Sequence, residues 1–393
     1  MKIFRQPPEV GRNAQFFLLA LVSLLTAGSL GAYAEDIILS GVYEAALDLP
    51  RIYFLLKRDP QAASLPRSED LEAHYAFLDT GASGILLSKE TAELFSVQAD
   101  PKARFFDVGV GGREVFRVSE PLYVGLAGFE TSNPQAEAAY RYLGPGRLQI
   151  KTQSAGFLQE ALDIIGMPML MGRIVVLHAG ATNELGYFAA EVRDPGDSRL
   201  PKMAFEIPLR FVKFFQLADP NNIPPLPTLT CNPVIDHILL TYRDKQTRGD
   251  WLLDTGATVS FMSVKQAHLL GLVDKKGSPL KKPDFSLPMG GIGNMIQIPG
   301  FEIDRLAVPT SSGSHLVFTK ARIGVHDIEY FDEEKGQRAV LDGVFGSNFL
   351  CASAKMEGLL PSEIGQTVFN YIVLDLQKGL IGFNLTSNSP PSP

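Results

Sequence analysis

Cysteine occurs only twice in this chain, at Cys231 and Cys351. Two thiols form no metal-ligand cluster; outside a reducing compartment they could pair, and as buried thiols they could equally stay free. The six histidines (His74, His178, His237, His268, His315 and His326) are scattered, and none sits in H-E-x-x-H or a comparable metal spacing. No G-x-S-x-G marks a serine nucleophile, and VGVGG at 108–112 lacks the G-x-G-x-x-G register of a dinucleotide site. Net charge is −7 without a lysine or arginine block, which argues against nucleic-acid binding. Beyond residue 34 no apolar run is long enough to span a bilayer. Neither a metal nor an organic cofactor is implied.

The first 34 residues differ from the rest. Lys2, Arg5 and Arg12 form a basic start, an apolar run follows over Phe16–Leu25, and Ala32-Tyr33-Ala34 is a small-x-small cleavage pattern before Glu35. This predicts a cleaved signal peptide over 1–34 and a secreted or periplasmic mature chain. At 393 residues there is material for two domains after it, expected over 35–200 and 201–393.

The 36 glycines and 27 prolines favour a turn-rich β protein. Strands are expected over Ile52–Leu56, Tyr75–Leu78, Arg104–Val108, Val115–Val118, Leu122–Leu126, His237–Tyr242, Trp251–Leu253, Phe301–Ala307 and Tyr371–Leu374. Helices are few and short, near Lys89–Phe95, Gly156–Leu162 and Val264–Leu270. A Pro-rich linker is expected near Arg193–Asn232, and FEIPLRFVKFFQ within it reads as a strand at the seam between lobes.

The dominant feature is an internal repeat. FLDTGASGILLS (Phe77–Ser88) returns 175 positions later as LLDTGATVSFMS (Leu252–Ser263). Each copy is followed by a short helix with matching Ala and Leu (Ala92 and Leu94, Ala267 and Leu269). A Gly-rich hairpin tip comes next: DVGVGG over Asp107–Gly112, and MGGIGN over Met289–Asn294. Last comes an apolar-apolar-Gly stretch, Ile164-Ile165-Gly166 in one copy and Val344-Phe345-Gly346 in the other.

Asp-Thr-Gly at the end of a buried strand suits a reaction that needs two carboxyls side by side. Two such groups share one proton, because like charges that close cannot both ionise. The ionised one can then take a proton from water while the other donates. Asp79 and Asp254 are the candidates. Thr80 and Thr255 could lock the two loops by their hydroxyls, and Gly81 and Gly256 permit close approach without a Cβ.

On these residues the chain resembles aspartic proteases of the retropepsin/pepsin clan. The likeness rests on both D-T-G-A motifs and both apolar-apolar-Gly partners. Alanine after D-T-G in both copies (Ala82, Ala257) leans to the retropepsin branch, as a dimer made covalent by duplication. The resemblance implies an all-β, bilobal pepsin/retropepsin-like fold with a cleft between two homologous lobes, and an aspartic endopeptidase acting as a monomer. It implies an extended peptide or protein substrate held under flaps built from Val108, Gly109, Val110, Gly111 and Gly112 and from Gly290, Gly291, Ile292 and Gly293. Serine or threonine after D-T-G would help hold a carboxylate ionised; with alanine there, the pair's proton affinity is expected above pepsin's and the optimum in mild acid. A catalytically silent peptide-binding or inhibitor-binding protein on the same scaffold is the alternative reading. So is a processing protease with few targets.

Overall fold

The computed structural model describes residues 35–40, 48–65, 73–154, 162–179, 188–197, 199–200, 202–290, 292, 295–332, 335–351 and 369–385. The expected signal peptide over 1–34 lies outside the described residues. So do most of the helix expected over Gly156–Leu162, and Gly291 and Gly293.

The described chain is all-β, in two large sheets and one small hairpin (Glu329–Asp332 with Gln337–Val340). A twelve-stranded sheet carries the first repeat copy, and a nine-stranded sheet carries the second; they are lobe one and lobe two below. The α-helices among the described residues are one or two turns long, at Lys89–Leu94, Met167–Leu170, Val264–Leu269 and Ser347–Leu350. None is long and apolar enough to cross a membrane.

Strand patterns follow burial. In Asn232–Tyr242, Ile238, Leu240 and Tyr242 face inward while Leu239 and Thr241 are only partly covered. In Arg51–Lys57 nearly every residue is buried, because this strand is flanked by Tyr75–Leu78 and Gly112–Gly128 and covered on its faces. The strands expected over Val115–Val118 and Leu122–Leu126 are one 17-residue strand, Gly112–Gly128. Its register shifts between Val118 and Pro121 and again between Leu122 and Val124. A bulge tolerates Pro121, which has no N–H for the ladder, so the break seen in the sequence is a bend rather than an end.

The lobes exchange strands. Ile37–Ser40, at the start of the described chain, pairs in parallel with His315–Val325 in lobe two. Phe369–Asp375 and Leu380–Leu385, at its end, join the lobe-one sheet beside Ile174–His178. The segment FEIPLRFV spans the seam: Phe205–Pro208 pairs with Leu380–Leu385, and Arg210–Val212 pairs with Asn232–Val234 of lobe two. Cys231 and Cys351 are both free, and burial pushes the Cys351 thiol well above its ordinary pKa.

The repeat is visible in three dimensions. Ser88 and Ser263 each cap the helix that follows, accepting from the N–H of Thr91 at 3.0 Å and of Gln266 at 3.3 Å. Tyr75–Leu78 pairs in parallel with Ile164–Ile165, as Lys245–Asp254 pairs with Gly343–Gly346. Beneath the second copy Phe318, Phe345 and Phe349 pack ring to ring, with centroids 4.6–6.1 Å apart.

Replacing buried Phe349 by alanine should lower the unfolding free energy by about 3–5 kcal/mol. Leu269→Ala, at a site 52% exposed, should change it by less than about 0.5 kcal/mol. Urea denaturation of the two variants checks both.

Candidate active site

Each D-T-G turn begins where a buried strand stops. The N–H of Asp79 donates to Ile165 O at 3.0 Å, which fixes the strand end against its apolar-apolar-Gly partner. Asp254 is the last residue of its strand, opposite Gly346. The chain then turns tightly enough for the aspartate to accept from its own loop. Gly81 N and Ala82 N donate to Asp79 Oδ1 at 2.7 and 3.0 Å, and Gly256 N donates to Asp254 Oδ1 at 2.9 Å.

The two turns are locked together by their threonines, both completely buried. Thr80 Oγ1 donates to Leu253 O at 2.7 Å and accepts from Thr255 N at 3.1 Å. Reciprocally, Thr255 Oγ1 donates to Leu78 O at 2.7 Å and accepts from Thr80 N at 3.1 Å. Four bonds thus cross between residues about 175 positions apart, and neither hydroxyl is left unsatisfied. The glycines that follow bring the carboxyls face to face. A Cβ on Gly81 would collide with the Asp254 carboxyl, and one on Gly256 would collide with that of Asp79.

Two carboxyls this close, walled by protein and open only to the cleft, bind a proton more tightly than an ordinary aspartate. Loss of solvation raises Asp79, against the hydrogen bonds that Asp254, Gly81 and Ala82 contribute. Loss of solvation and then the charge of Asp79 push Asp254 well above the usual range, against the loop N–H groups of Gly256 and Ala257. The pair therefore acts as one unit that keeps a single proton into mild acid. Among the described residues no hydroxyl reaches either carboxyl; Ser83, next after Ala82, donates to Asn232 Oδ1 instead at 2.6 Å.

Behind each turn lies its glycine partner. Ala82 O and Ala257 O stand where a Cβ on Gly166 or Gly346 would go, and both accept from the next residue, Met167 N at 3.0 Å and Ser347 N at 2.8 Å. Here two residues matter that the sequence did not single out. Asn232 Nδ2 donates to Thr80 O at 2.9 Å, and Ser347 Oγ donates to Thr255 O at 2.8 Å. Ser347 directly follows the Gly346 partner, so its place was a signal. Asn232 sits at the end of a Pro-rich linker, and nothing near it in sequence points to the site.

The flap candidates close over a cavity of about 520 Å³ lined by both aspartates. In lobe one Phe105–Gly109 and Gly112–Gly128 form the hairpin; in lobe two Phe285–Met289 and Ile296–Pro309 do. The tips meet, with Gly111 N donating to Ile292 O at 2.9 Å. Each tip crosses to the other side. Val110 packs among Leu252, Phe261, Leu341 and Val344 of lobe two, while Ile292 packs on Leu86, Phe116 and Ile164 of lobe one. His326 of lobe two lies 3.0 Å from Val110 O. Gly109 must be glycine-sized because Ile292 lies against it. Val108 faces outward, 47% exposed, although it also edges the cavity. Gly290 lines the cavity beside Met295, and Gly112 turns the first hairpin with φ +106°. Among the described residues no group of three metal-ligating side chains occurs.

No protein-family model and no curated protein sequence matches the chain. Among solved structures it is similar to the aspartic proteinase from Irpex lacteus, at 11% identity and a TM-score of 0.43, with 86% of this chain and 97% of that chain covered.

A carboxyl whose folded pKa is raised binds more protons in the native than in the unfolded chain, so stability falls as pH rises from the ordinary carboxylate pKa through the folded one. Asp254→Asn removes that penalty. It should raise the melting temperature at neutral pH, with the gain shrinking as pH falls towards the ordinary carboxylate pKa. Thr80→Val leaves Thr255 N and Leu253 O without partners and should cost about 1–3 kcal/mol. Thermal melts across pH test the first, and denaturant unfolding the second.

Proposed function

We propose that this chain is an aspartic endopeptidase that hydrolyses peptide bonds between Asp79 and Asp254. One observation carries the reading: two carboxyls face each other across a crossed threonine lock, at the wall of a cavity able to hold an extended peptide.

The chemistry follows from the shared proton. The ionised carboxylate takes a proton from a water molecule as its oxygen attacks the scissile carbonyl carbon. The protonated partner donates to the carbonyl oxygen, giving a tetrahedral diol. The carboxyl that took the water proton gives it to the amide nitrogen while the other carboxylate takes a proton from a diol hydroxyl, so the C–N bond breaks, the acid and amine leave, and the pair again holds one proton. Because the turns are rigid and the N–H groups of Gly81, Ala82 and Gly256 already point at the carboxylates, little reorganisation accompanies the charge shift. Thr80, Gly81, Thr255 and Gly256 act by holding the pair. Both aspartates come from one chain, so a monomer suffices. Export to the periplasm or the exterior is part of the proposal, on the features of residues 1–34.

A peptide-binding protein without turnover is the second reading. What favours it is the closed arrangement in which Val110 and Ile292 fill the apolar walls that a substrate would contact.

Incubated with a diverse peptide mixture, the chain from Glu35 should cleave with a maximum in mild acid. Activity should fall when both carboxyls are protonated, and again when the shared proton is lost. Asp79→Asn and Asp254→Asn should each reduce kcat by at least about 10²–10⁴-fold. Turnover that survives either substitution sinks the reading. Peptide binding without cleavage at any pH would establish the second.

A further inference from the structure

The pseudo-twofold that relates the lobes holds at the aspartates and fails on the cleft walls. Three equivalent positions show it. Asp107 faces Glu114 across the first flap ladder, as Met289 faces Ile296 across the second. Leu86, two residues before the capping Ser88, pairs with Gln149; Phe261, two before Ser263, pairs with Gly324. Two residues further, Lys151 of lobe one corresponds to His326 of lobe two. Lobe one thus carries Asp, Gln and Lys where lobe two carries Met, Gly and His. The room beside Gly324 is taken by Ile298 and Phe261, so lobe two closes its wall with hydrocarbon.

Asp107, Gln149 and Lys151 all line the cavity that holds the aspartate pair. Asp107 is partly buried. Its Oδ2 accepts from Gln149 Nε2 at 3.0 Å, and its Oδ1 accepts from Val108 N at 2.9 Å. Lys151 is engaged by Glu114, with Nζ 3.8 Å from Oε2. Among the described residues no cation pairs with Asp107; burial raises its pKa, against the bonds from Gln149 and Val108 N, and the like-signed Glu114 adds a little to the rise, so a cation beside it would favour its charged form. A carboxylate held by two neutral donors, with open lone pairs towards a cleft, lacks the counter-charge that partly buried acids ordinarily have. Beside it Leu86, Ile164 and Leu162 make an apolar wall.

Resting on the endopeptidase reading, we propose that Asp107 is a specificity-determining residue that selects a substrate lysine or arginine on the lobe-one side of the cleft, while the lobe-two side takes an apolar residue. The methylene stem of such a side chain lies along Leu86 and Ile164, the surface that Ile292 covers here, and its charged head reaches Asp107. In lobe two Met289, Phe261 and Leu341 are apolar, and Glu329, the acid that lines the cavity on that side, is already engaged by Arg338 at 3.3 Å. The duplicated chain thereby reads its substrate in one direction.

The test uses peptide pairs that differ only by lysine against norleucine, placed in turn at each position flanking the cleaved bond. Cleavage is measured with the wild-type chain, Asp107→Asn and Asp107→Met. Binding of the same peptides is measured by fluorescence anisotropy on an Asp79→Asn/Asp254→Asn background with and without Asp107→Asn. At one position the lysine peptide should be favoured by about tenfold or more, in kcat/KM or in affinity. Asp107→Asn, which keeps the shape and the Gln149 contact, should abolish that preference as fully as Asp107→Met. No lysine preference at any position, or one that survives Asp107→Asn, overturns the inference. Lysine-selective binding without cleavage supports it while removing the endopeptidase reading. Neither cleavage nor binding removes both.

Discussion

Everything at the centre of this molecule depends on four hydrogen bonds between two threonines and the opposite turns. Each hydroxyl has one proton to give and lone pairs to accept with, and each uses both capacities across the seam. In a site without solvent, losing one partner strands at least one backbone group, so the arrangement holds as a whole or not at all. It ties a turn near the start of the chain to one in its second half, and it fixes the separation of the two carboxyls. A serine could supply the same donor and acceptor, but the threonine methyl also restricts the side chain to few rotamers.

That lock works against an electrostatic cost. Two carboxyls brought together at the wall of a protein cleft repel when both are charged, and each loses part of its hydration. The native chain meets this by retaining a proton and by aiming loop N–H groups at the carboxylate oxygens. The stability given up at neutral pH is the source of the reactivity proposed for the pair, since a shared proton is what lets one group accept while the other donates.

Away from the pair, the two halves diverge in ways that the repeat does not suggest. The lobe-two turn is backed by Ser347, and the lobe-one turn by Asn232, which reaches in from the far side of the linker. Ile37–Ser40 crosses to the lobe-two sheet, and Leu380–Leu385 crosses to that of lobe one, so each half is incomplete without chain from the other. The flap tips likewise cross, Val110 against lobe two and Ile292 against lobe one. A duplicated chain is free to let its copies drift wherever contact with the other copy, rather than with itself, decides the packing.

The amino-acid sequence by itself determined the all-β class, the short apolar strands between turn residues, the short helices that follow each D-T-G-A turn, and the pairing of Asp79 with Asp254. These are local or repeated signals: apolar runs bounded by glycine and proline, and a twelve-residue segment written twice. Only the tertiary structure decided that Gly112–Gly128 is one bent strand, because a bulge and a turn carry the same proline and glycine signature. Only it placed Asn232 behind Thr80 and Asp107 beside Gln149. Those contacts join residues 152 and 42 positions apart, and the polar side chains that make them are chosen by what lies opposite in space, which no neighbour in sequence encodes.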